Sequence, residues 1–157
     1  MRLELLYRAS DDKCKSKVFH EKVDGVAGSV SLFKTPRGQI FGGYLSIPID
    51  SEKSGFMRDP KAFLFSLSKN ETYPVIDANR AFYNDPSSPE AYMSFGKDDL
   101  MILEGCRGQT YYFGEDYQLP DGMEYSALSF ESTVYLHGED TWEFAITEME
   151  TFQVIIY

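Results

Sequence analysis

The sequence predicts a mainly β fold (α+β), a sandwich of two antiparallel β-sheets flanked by short helices. Aromatic residues are abundant, with 12 Phe and 11 Tyr among 157 residues, and they suit pleated, half-buried surfaces better than helices. Many short apolar runs are separated by turn signals at near-regular spacing, a pattern typical of packed antiparallel sheets. Because the length suits one domain with its own core, we expect a single domain over residues 1–157.

The first elements follow from local patterns. The run LELLYRA (3–9) fits either a short helix or a strand, since its periodicity does not separate the two. The run SKVFHEKVDG (16–25) predicts a helix with Ser16 as its N-cap and Gly25 as its terminator. SVSLFK and QIFGGYLSI flank the turn signal TPRG (35–38), which indicates a β-hairpin.

The middle of the chain predicts further short strands. DPKAFLFSLS (59–68) reads as a strand entered through a turn, because Phe63 and Phe65 alternate with their neighbours. YPVIDA, AYMSFG and DDLMILEG predict three more strands, and TYYFGEDYQLPDG (110–122) predicts an aromatic loop that ends in a Pro-Asp-Gly turn.

The alternation of apolar and polar residues shifts within the last segment, DTWEFAITEMETFQVIIY. Trp142, Phe144 and Ile146 share one face of a strand, and the alternation slips before Phe152. A bulge near Thr147 accounts for this slip.

Charge is unevenly distributed along the chain, whose formal net charge is −10. Residues 1–80 hold 13 Lys/Arg and 10 Asp/Glu, a balance of +3, whereas residues 81–157 hold 2 and 15, a balance of −13. An acidic surface repels phosphate backbones and anionic lipids, so we expect neither nucleic acid nor a membrane surface as the primary partner. A basic protein partner is favoured.

The sequence also indicates a soluble protein of a reducing compartment. No apolar leader follows MRLELLYRAS, and no run approaches the roughly 20 apolar residues that span a bilayer. We therefore expect a cytoplasmic protein. Cys14 and Cys106 are expected to be free thiols, although a single bridge between them is an open alternative.

Metal, phosphate and cofactor sites are not predicted. The adjacent Gly42 and Gly43 lack the further glycine and the Lys-Ser/Thr pair of a phosphate cradle. The run from Asp50 imitates the start of an EF-hand loop, but Lys61 stands where a bidentate Glu is required. The histidines, His20 and His137, and the two cysteines are scattered singles that form no zinc-like spacing.

Two catalytic alternatives remain open. Glu148 and Glu150 share a face if TEME is a strand, with a separation of about 6 to 7 Å that suits a glycosidase acid–base pair. A thiol-based antioxidant would use Cys14 or Cys106, and Cys14 lies between Lys13 and Lys15, which favours a thiolate. The non-catalytic interpretation of the two glutamates is a solvated strand face, or partners for the few basic residues.

Five runs together resemble the successive blocks of a TLDc domain, the domain of the oxidation resistance proteins. In chain order these runs are LLYRASDDKCKSKVFHEKVDG (5–25), IFGGYLSIPIDS (40–51), DPKAFLFSL (59–67), FGKDDLMI (95–102) and TEMETFQV (147–154).

The resemblance implies a two-sheet sandwich with short helices, protection against oxidative stress, and binding to the peripheral sector of the vacuolar proton ATPase. It brings no accepted catalytic residue and no cofactor. It also marks positions with structural or interaction roles, which are Arg8, Phe19, His20, Asp24, Gly25, Phe41, Gly42, Gly43, Tyr44, Phe63, Phe65, Gly96, Asp99, Glu148, Glu150 and Phe152.

The leading hypothesis is therefore a non-enzymatic interaction module, for which the vacuolar ATPase is the expected partner. The oligomeric state is left open, with a monomer favoured. Gly42 and Gly43 are expected to permit a bulge or a close contact of the sheet.

Overall fold

The computed structural model describes residues 1–125 and 130–157, apart from the side chain of Phe130. The strands are β1 (Arg2–Arg8), β2 (Ser29–Lys34), β3 (Ile40–Leu45), β4 (Gly55–Met57), β5 (Phe63–Ser66), β6 (Glu71–Pro74), β7 (Phe82–Asn84), β8 (Ala91–Phe95), β9 (Leu100–Leu103), β10 (Arg107–Gln109), β11 (Glu143–Ala145) and β12 (Glu148–Ile155). The helices are α1 (Ala9–Asp12), α2 (Ser16–Val23) and α3 (Phe130–Tyr135), and a 3-10 turn spans Ala78–Arg80.

The strands form two packed antiparallel sheets, which confirms the predicted fold class. The large sheet has the order β1-β12-β2-β3-β5-β6. The split sheet consists of β11-β10-β9-β8 and the pair β4-β7, joined by an isolated bridge between Phe82 and Gly96. Phe41 of β3 meets Phe144 of β11 across the core, with ring centroids 5.5 Å apart.

None of the helices in the described ranges is long and apolar enough to cross a membrane.

Long-range pairing decides the structure of the N-terminal run. Residues 2–8 form strand β1 because Leu3 and Leu5 pair with Val154 and Phe152 of β12, at the other end of the chain. The edge of the large sheet is therefore built from both ends of the sequence.

The helix predicted over 16–25 is confirmed over Ser16–Val23, but its predicted cap is wrong. Lys15 occupies the N-cap position without a side-chain cap. The Ser16 hydroxyl instead donates a hydrogen bond to the carbonyl of Pro89, because that loop packs against the helix start. Gly25, with φ +83°, follows the helix end as predicted.

The hairpin and most of the middle strands are confirmed. β2 and β3 pair in register around the turn at 35–38, and β5 begins at Phe63 after the turn at Asp59. The run at 73–78 is a strand only as far as Pro74, after which Val75 bridges to Tyr117. The aromatic run at 110–122 contains no strand and ends in the predicted turn.

The phase change near Thr147 marks a change of sheet, so the predicted bulge is wrong. β11 belongs to the split sheet, where the N–H of the following Ile146 donates to Cys106 (2.9 Å). The next N–H, of Thr147, donates to Lys34 of the large sheet (2.8 Å). Trp142 precedes β11 and is 44% exposed, so it does not share the buried face of Phe144 and Ile146.

The side chains on the core face of the large sheet are small in the middle of the sheet. One row of paired residues runs across all six strands in the order Tyr7, Thr151, Ser31, Gly43, Leu64 and Tyr73. The ring of Phe95, from the split sheet, lies where a Cβ on Gly43 would be. Gly43 therefore permits a close contact between sheets, as expected, whereas the alternative of a bulge is wrong because the register through Gly42 and Gly43 is continuous.

Cys14 and Cys106 form a disulfide, which corrects the expectation of free thiols. Their Cα atoms lie 5.4 Å apart, although 92 residues separate them in sequence. The bond joins the connection between α1 and α2 to the turn between β9 and β10. Sequence alone could not choose between free thiols and a disulfide, because the two cysteines are distant in sequence and only the fold brings their turns together.

Candidate functional site

His20, Asp24 and Ser51 form a hydrogen-bonded network between α2 and the loop after β3. His20 and Asp24 are one helical turn apart, so both side chains lie on the same side of α2. His20 Nδ1 is 2.8 Å from Asp24 Oδ1, and its Nε2 is 3.0 Å from the carbonyl oxygen of Ala91. The backbone N–H and the hydroxyl of Ser51 both donate to Asp24 Oδ2. Asp24 therefore lies between the histidine and the serine.

The environment of His20 favours the imidazolium. Burial lowers the pKa of His20, but the hydrogen bonds to Asp24 and to the Ala91 carbonyl outweigh it, and the net pKa is raised. Burial conversely raises the pKa of Asp24, and its bonds from His20 and Ser51 bring the net value below the usual range. The result is a charged pair that holds α2 against the loop.

This network differs from a catalytic triad in its connections. In a triad the histidine accepts the proton of the serine and the aspartate orients the histidine. Here Ser51 donates to Asp24, and both ring nitrogens of His20 face acceptors. The arrangement fits a structural clamp.

Two open clefts flank the network. One, of about 720 Å³, is lined by Asp24, by residues 47–53 and by residues 56–58. The other, of about 360 Å³, is lined by His20 and by parts of the segment 83–94. Ser51 lines both clefts. The polar groups between the clefts bond to one another.

Glu148 and Glu150 are held by the N-terminal strand and helix. Arg8 donates to Glu150 Oε2 from Nε (2.9 Å) and from Nη2 (2.6 Å). Glu148 accepts from the backbone N–H groups of Ser10 (3.1 Å) and Met149 (3.0 Å). Burial raises the pKa of Glu148, but the hydrogen bonds from the side chain and backbone of Ser10 and from Met149, with the charge of Arg8, outweigh it, so the net pKa is lowered. A glycosidase acid needs the opposite shift.

Asp99 fixes the aromatic loop to the β8–β9 turn. It is fully buried and accepts backbone N–H groups of Gly114 (3.0 Å), Asp116 (3.1 Å) and Tyr117 (3.1 Å). Burial raises its pKa well above the usual range, and the three N–H groups act in the opposite direction. Gly96, with φ +62°, lies against it where a Cβ would overlap the Asp99 carboxylate. Both motif positions therefore have a structural role here.

Two phenylalanines of the motif set lie in the core. Phe19 of α2 is fully buried, with its ring 5.4 Å from that of Tyr7 and 5.1 Å from that of Tyr92. Phe41 is also fully buried and lies between Phe33 and Phe144. Packing in the core therefore accounts for the aromatic side chain at both positions.

The outward side of the large sheet carries an apolar row that is only partly covered. One row of paired residues crosses the sheet in the order Leu5, Phe152, Val30, Tyr44, Phe63 and Pro74. We use the name outer face for this row as far as Phe63 together with its neighbours Leu3, Val154 and Leu32. The buried Phe65 and the Arg8–Glu150 ion pair border it.

The exposure of the outer face distinguishes it from the core. Leu3 is 50% exposed and Leu5 41%, and Val30, Leu32 and Tyr44 are half-buried. The Tyr44 ring stacks on Phe63 with centroids 5.2 Å apart. Contiguous exposed apolar surface of this kind marks interaction sites.

The sequence pattern did not reveal this surface. In β2 the residues that face the core are Ser29, Ser31 and Phe33, and those that face outward include Val30 and Leu32. Because the inward residues are partly polar and the outward ones apolar, alternation alone does not say which side is the core.

Within the described ranges, no group of three or more His, Cys, Asp or Glu is arranged to hold a metal ion. Asp50 and Glu52 of the EF-hand-like run take part in a local turn, in which the Glu52 N–H donates to the Asp50 carboxylate (3.1 Å).

Comparison with known families adds one finding. The model of a family described as the TLDc domain matches residues 1–155. No curated protein matches the sequence. The family match covers nearly all of the chain, and it confirms the resemblance seen in the five sequence blocks.

Proposed function

Because the chain belongs to the TLDc domain family, we propose that it is a non-enzymatic interaction module that binds the peripheral sector of the vacuolar proton ATPase. In this proposal one domain over residues 1–157 acts in the cytoplasm and contributes to resistance against oxidative stress. The observation that carries the proposal is the outer face, an apolar surface at the side of the large sheet that faces away from the core.

The contacts of the candidate acid–base groups support a binding role over acid–base catalysis. Asp24 bonds to His20 and Ser51, and Glu150 bonds to Arg8. A general acid or base must reach a substrate proton. These side chains instead satisfy one another, and they stabilise the domain that presents the outer face.

Charge supports a partner that has a basic surface. Exposed carboxylates of the second half include Glu115, Asp121, Glu124 and Glu143. Complementary fields raise association rates and suppress wrong partners, while apolar contact provides most of the affinity. The acidic surface would steer the partner, and the outer face would hold it.

The test is a binding measurement with the purified ATPase peripheral sector and the immobilised chain. A Val30→Thr, Leu32→Thr variant keeps β-branched or strand-compatible side chains but makes the outer face polar. The matched control is Ile76→Thr, since Ile76 is 60% exposed and lies in the loop after β6, outside the outer face.

We expect the wild type and the Ile76→Thr control to bind with similar affinity. The outer-face variant should bind roughly tenfold more weakly. Raising the salt concentration should weaken binding of all three, because it screens the acidic surface. No binding by the wild type at low salt would rule out this partner. Equal binding by the outer-face variant would rule out this surface.

A further inference from the structure

The two cysteines occupy turns with the same unusual backbone. Lys13 and Cys14 have φ values of +60° and +53°, and Gly105 and Cys106 have values of +84° and +56°. Each cysteine is thus the second of two consecutive residues in the left-handed region, which side chains other than glycine rarely adopt. Two turns of matching conformation meet at the disulfide.

One backbone hydrogen bond joins the two turns directly, and two more fix the Cys106 turn to neighbouring segments, all independently of the sulfur atoms. The N–H of Gly105 donates to the carbonyl of Cys14 (3.0 Å), and the N–H of Ile146 donates to the carbonyl of Cys106 (2.9 Å). The neighbouring Glu104 N–H donates to Glu90 (2.7 Å). Reduced thiols would therefore remain adjacent, and closing the bond again would need little rearrangement.

The surroundings of Cys14 favour its thiolate. Lys13 and Lys15 are its exposed neighbours, and it lies just before the N-terminus of the eight-residue helix α2. The nearby Asp12 carboxylate is already paired with Lys22 (2.7 Å). Cations and a helix N-terminus both lower the pKa of a thiol. Cys106 has one cation beside it, Arg107, and Glu104 lies two residues before it.

Both cysteines lie at the margin of the core, against which they pack. Each is half-buried, with exposed residues on both sides of it in sequence. Structural disulfides that resist reduction are typically shielded, whereas accessible ones exchange readily with thiols.

We propose that Cys14 and Cys106 form a reversible redox site that reacts with hydrogen peroxide and is reset by a dithiol reductant. The Cys14 thiolate attacks one oxygen of the peroxide, the O–O bond breaks, and hydroxide leaves as water after it takes a proton. This step leaves a sulfenic acid on Cys14. The Cys106 thiol then attacks the Cys14 sulfur, the S–O bond breaks, and a second water leaves.

Overall, two thiols are oxidised to one disulfide and one peroxide is reduced to two waters. In the resetting step, a thiolate of the dithiol attacks the disulfide to form a mixed disulfide. The second thiol of the reductant then resolves this intermediate, which restores both cysteines and leaves the reductant oxidised. The site is separate from the outer face, so its test needs no protein partner.

The first experiment follows the whole wild-type chain by intact mass and maleimide labelling. The chain is reduced with a dithiol, freed of reductant and treated with an equimolar amount of hydrogen peroxide. We expect two labelled thiols before peroxide and none after it, with the loss of two hydrogens and no intermolecular product. Circular dichroism is expected to remain native in both states. Two thiols that stay labelled after peroxide would overturn the proposal, and so would a bond that the dithiol cannot reduce in the folded chain.

The second experiment assigns the roles of the two sulfurs. In Cys106→Ser, dimedone should trap a sulfenic acid on Cys14, whereas Cys14→Ser should give little adduct. A Lys13→Gln, Lys15→Gln variant should react with peroxide roughly tenfold more slowly. The matched control is Lys17→Gln, an exposed lysine further along α2, and it should react at the wild-type rate. Dimedone labelling mainly on Cys106, or equal rates in all lysine variants, would contradict the assignment to Cys14.

Discussion

Gly43 of the large sheet lies directly against the ring of Phe95 from the split sheet, so the two sheets meet where a Cβ would overlap an aromatic ring. We predict that Gly43→Ala lowers the free energy of unfolding by roughly 1–3 kcal/mol, the scale of overpacking in a core. Urea unfolding of the variant and the wild type measures the effect.

A double-mutant cycle separates this contact from other effects of the substitution. Phe95→Leu provides room for the added methyl, so the pair of substitutions should destabilise less than the sum of the two single changes, by about 0.5 kcal/mol or more. Strict additivity would mean that the Phe95 ring is not what Gly43 accommodates. Unchanged stability with lost partner binding would assign the glycine to binding.

The His20–Asp24 pair predicts a loss of stability as the pH rises above 6.5. The pKa of His20 is raised above its ordinary 6.5, so the folded state holds the proton more tightly than the unfolded state does. The contribution is complete below pH 6.5 and is lost as the pH rises through the folded pKa. Urea unfolding over this range should therefore show a decline in the wild type that His20→Gln lacks. If the free energy of unfolding varied with pH in the same way for the two proteins, the result would contradict a stabilising charged pair of His20 and Asp24.

His137 predicts the opposite dependence. It is fully buried and stacks on Phe144, and burial followed by the charge of Lys69 lowers its pKa to about 4. Between pH 6.5 and 4 the unfolded state binds a proton that the folded state excludes, so stability falls as the pH falls, by up to about 1.4 kcal/mol per pH unit.

His137→Asn tests this prediction because the amide oxygen can still accept the Glu139 N–H that His137 Nδ1 accepts at 3.0 Å. The variant does not titrate, so its stability should decline less steeply between pH 6.5 and 4 than that of the wild type. An equally steep decline in the variant would show that other groups cause the acid sensitivity.

The disulfide should stabilise the fold without being required for it. A bond between residues 92 apart restricts the unfolded chain, so its reduction should lower the free energy of unfolding by roughly 2–4 kcal/mol. Urea unfolding with and without a dithiol measures this difference. The Cys14→Ser, Cys106→Ser variant is the control, since its stability should not respond to the reductant. An unfolded reduced chain would contradict the backbone bonding of the two turns.

Local patterns in the sequence predicted the elements whose causes are local. The β2–β3 hairpin follows from its turn signal, and α2 ends before Gly25 as its pattern indicates. The strand at β5 also follows from alternation. In each case the residues that determine the structure lie within a few positions of it.

The features that the sequence did not predict depend on distant contacts. β1 is a strand because β12 pairs with it, and the step from Ile146 to Thr147 changes sheets because Cys106 and Lys34 accept their N–H groups. The outer face was missed because Ser31 faces inward, where it bonds to Thr151 (2.7 Å), while Val30 and Leu32 face outward. The fold class was predictable from the sequence. The outer face, which we propose as the binding surface, could be identified only from the pairing of the strands.

Photo-crosslinking to the purified ATPase peripheral sector tests directly whether the outer face is the binding surface. A photoreactive amino acid replaces Leu5, which is 41% exposed on the outer face, or Ile76, which is 60% exposed outside it. We expect a covalent adduct with an ATPase subunit from position 5 and none from position 76. Adducts from position 76 alone, or from neither position while the complex forms, would contradict the claim that the outer face is the binding surface.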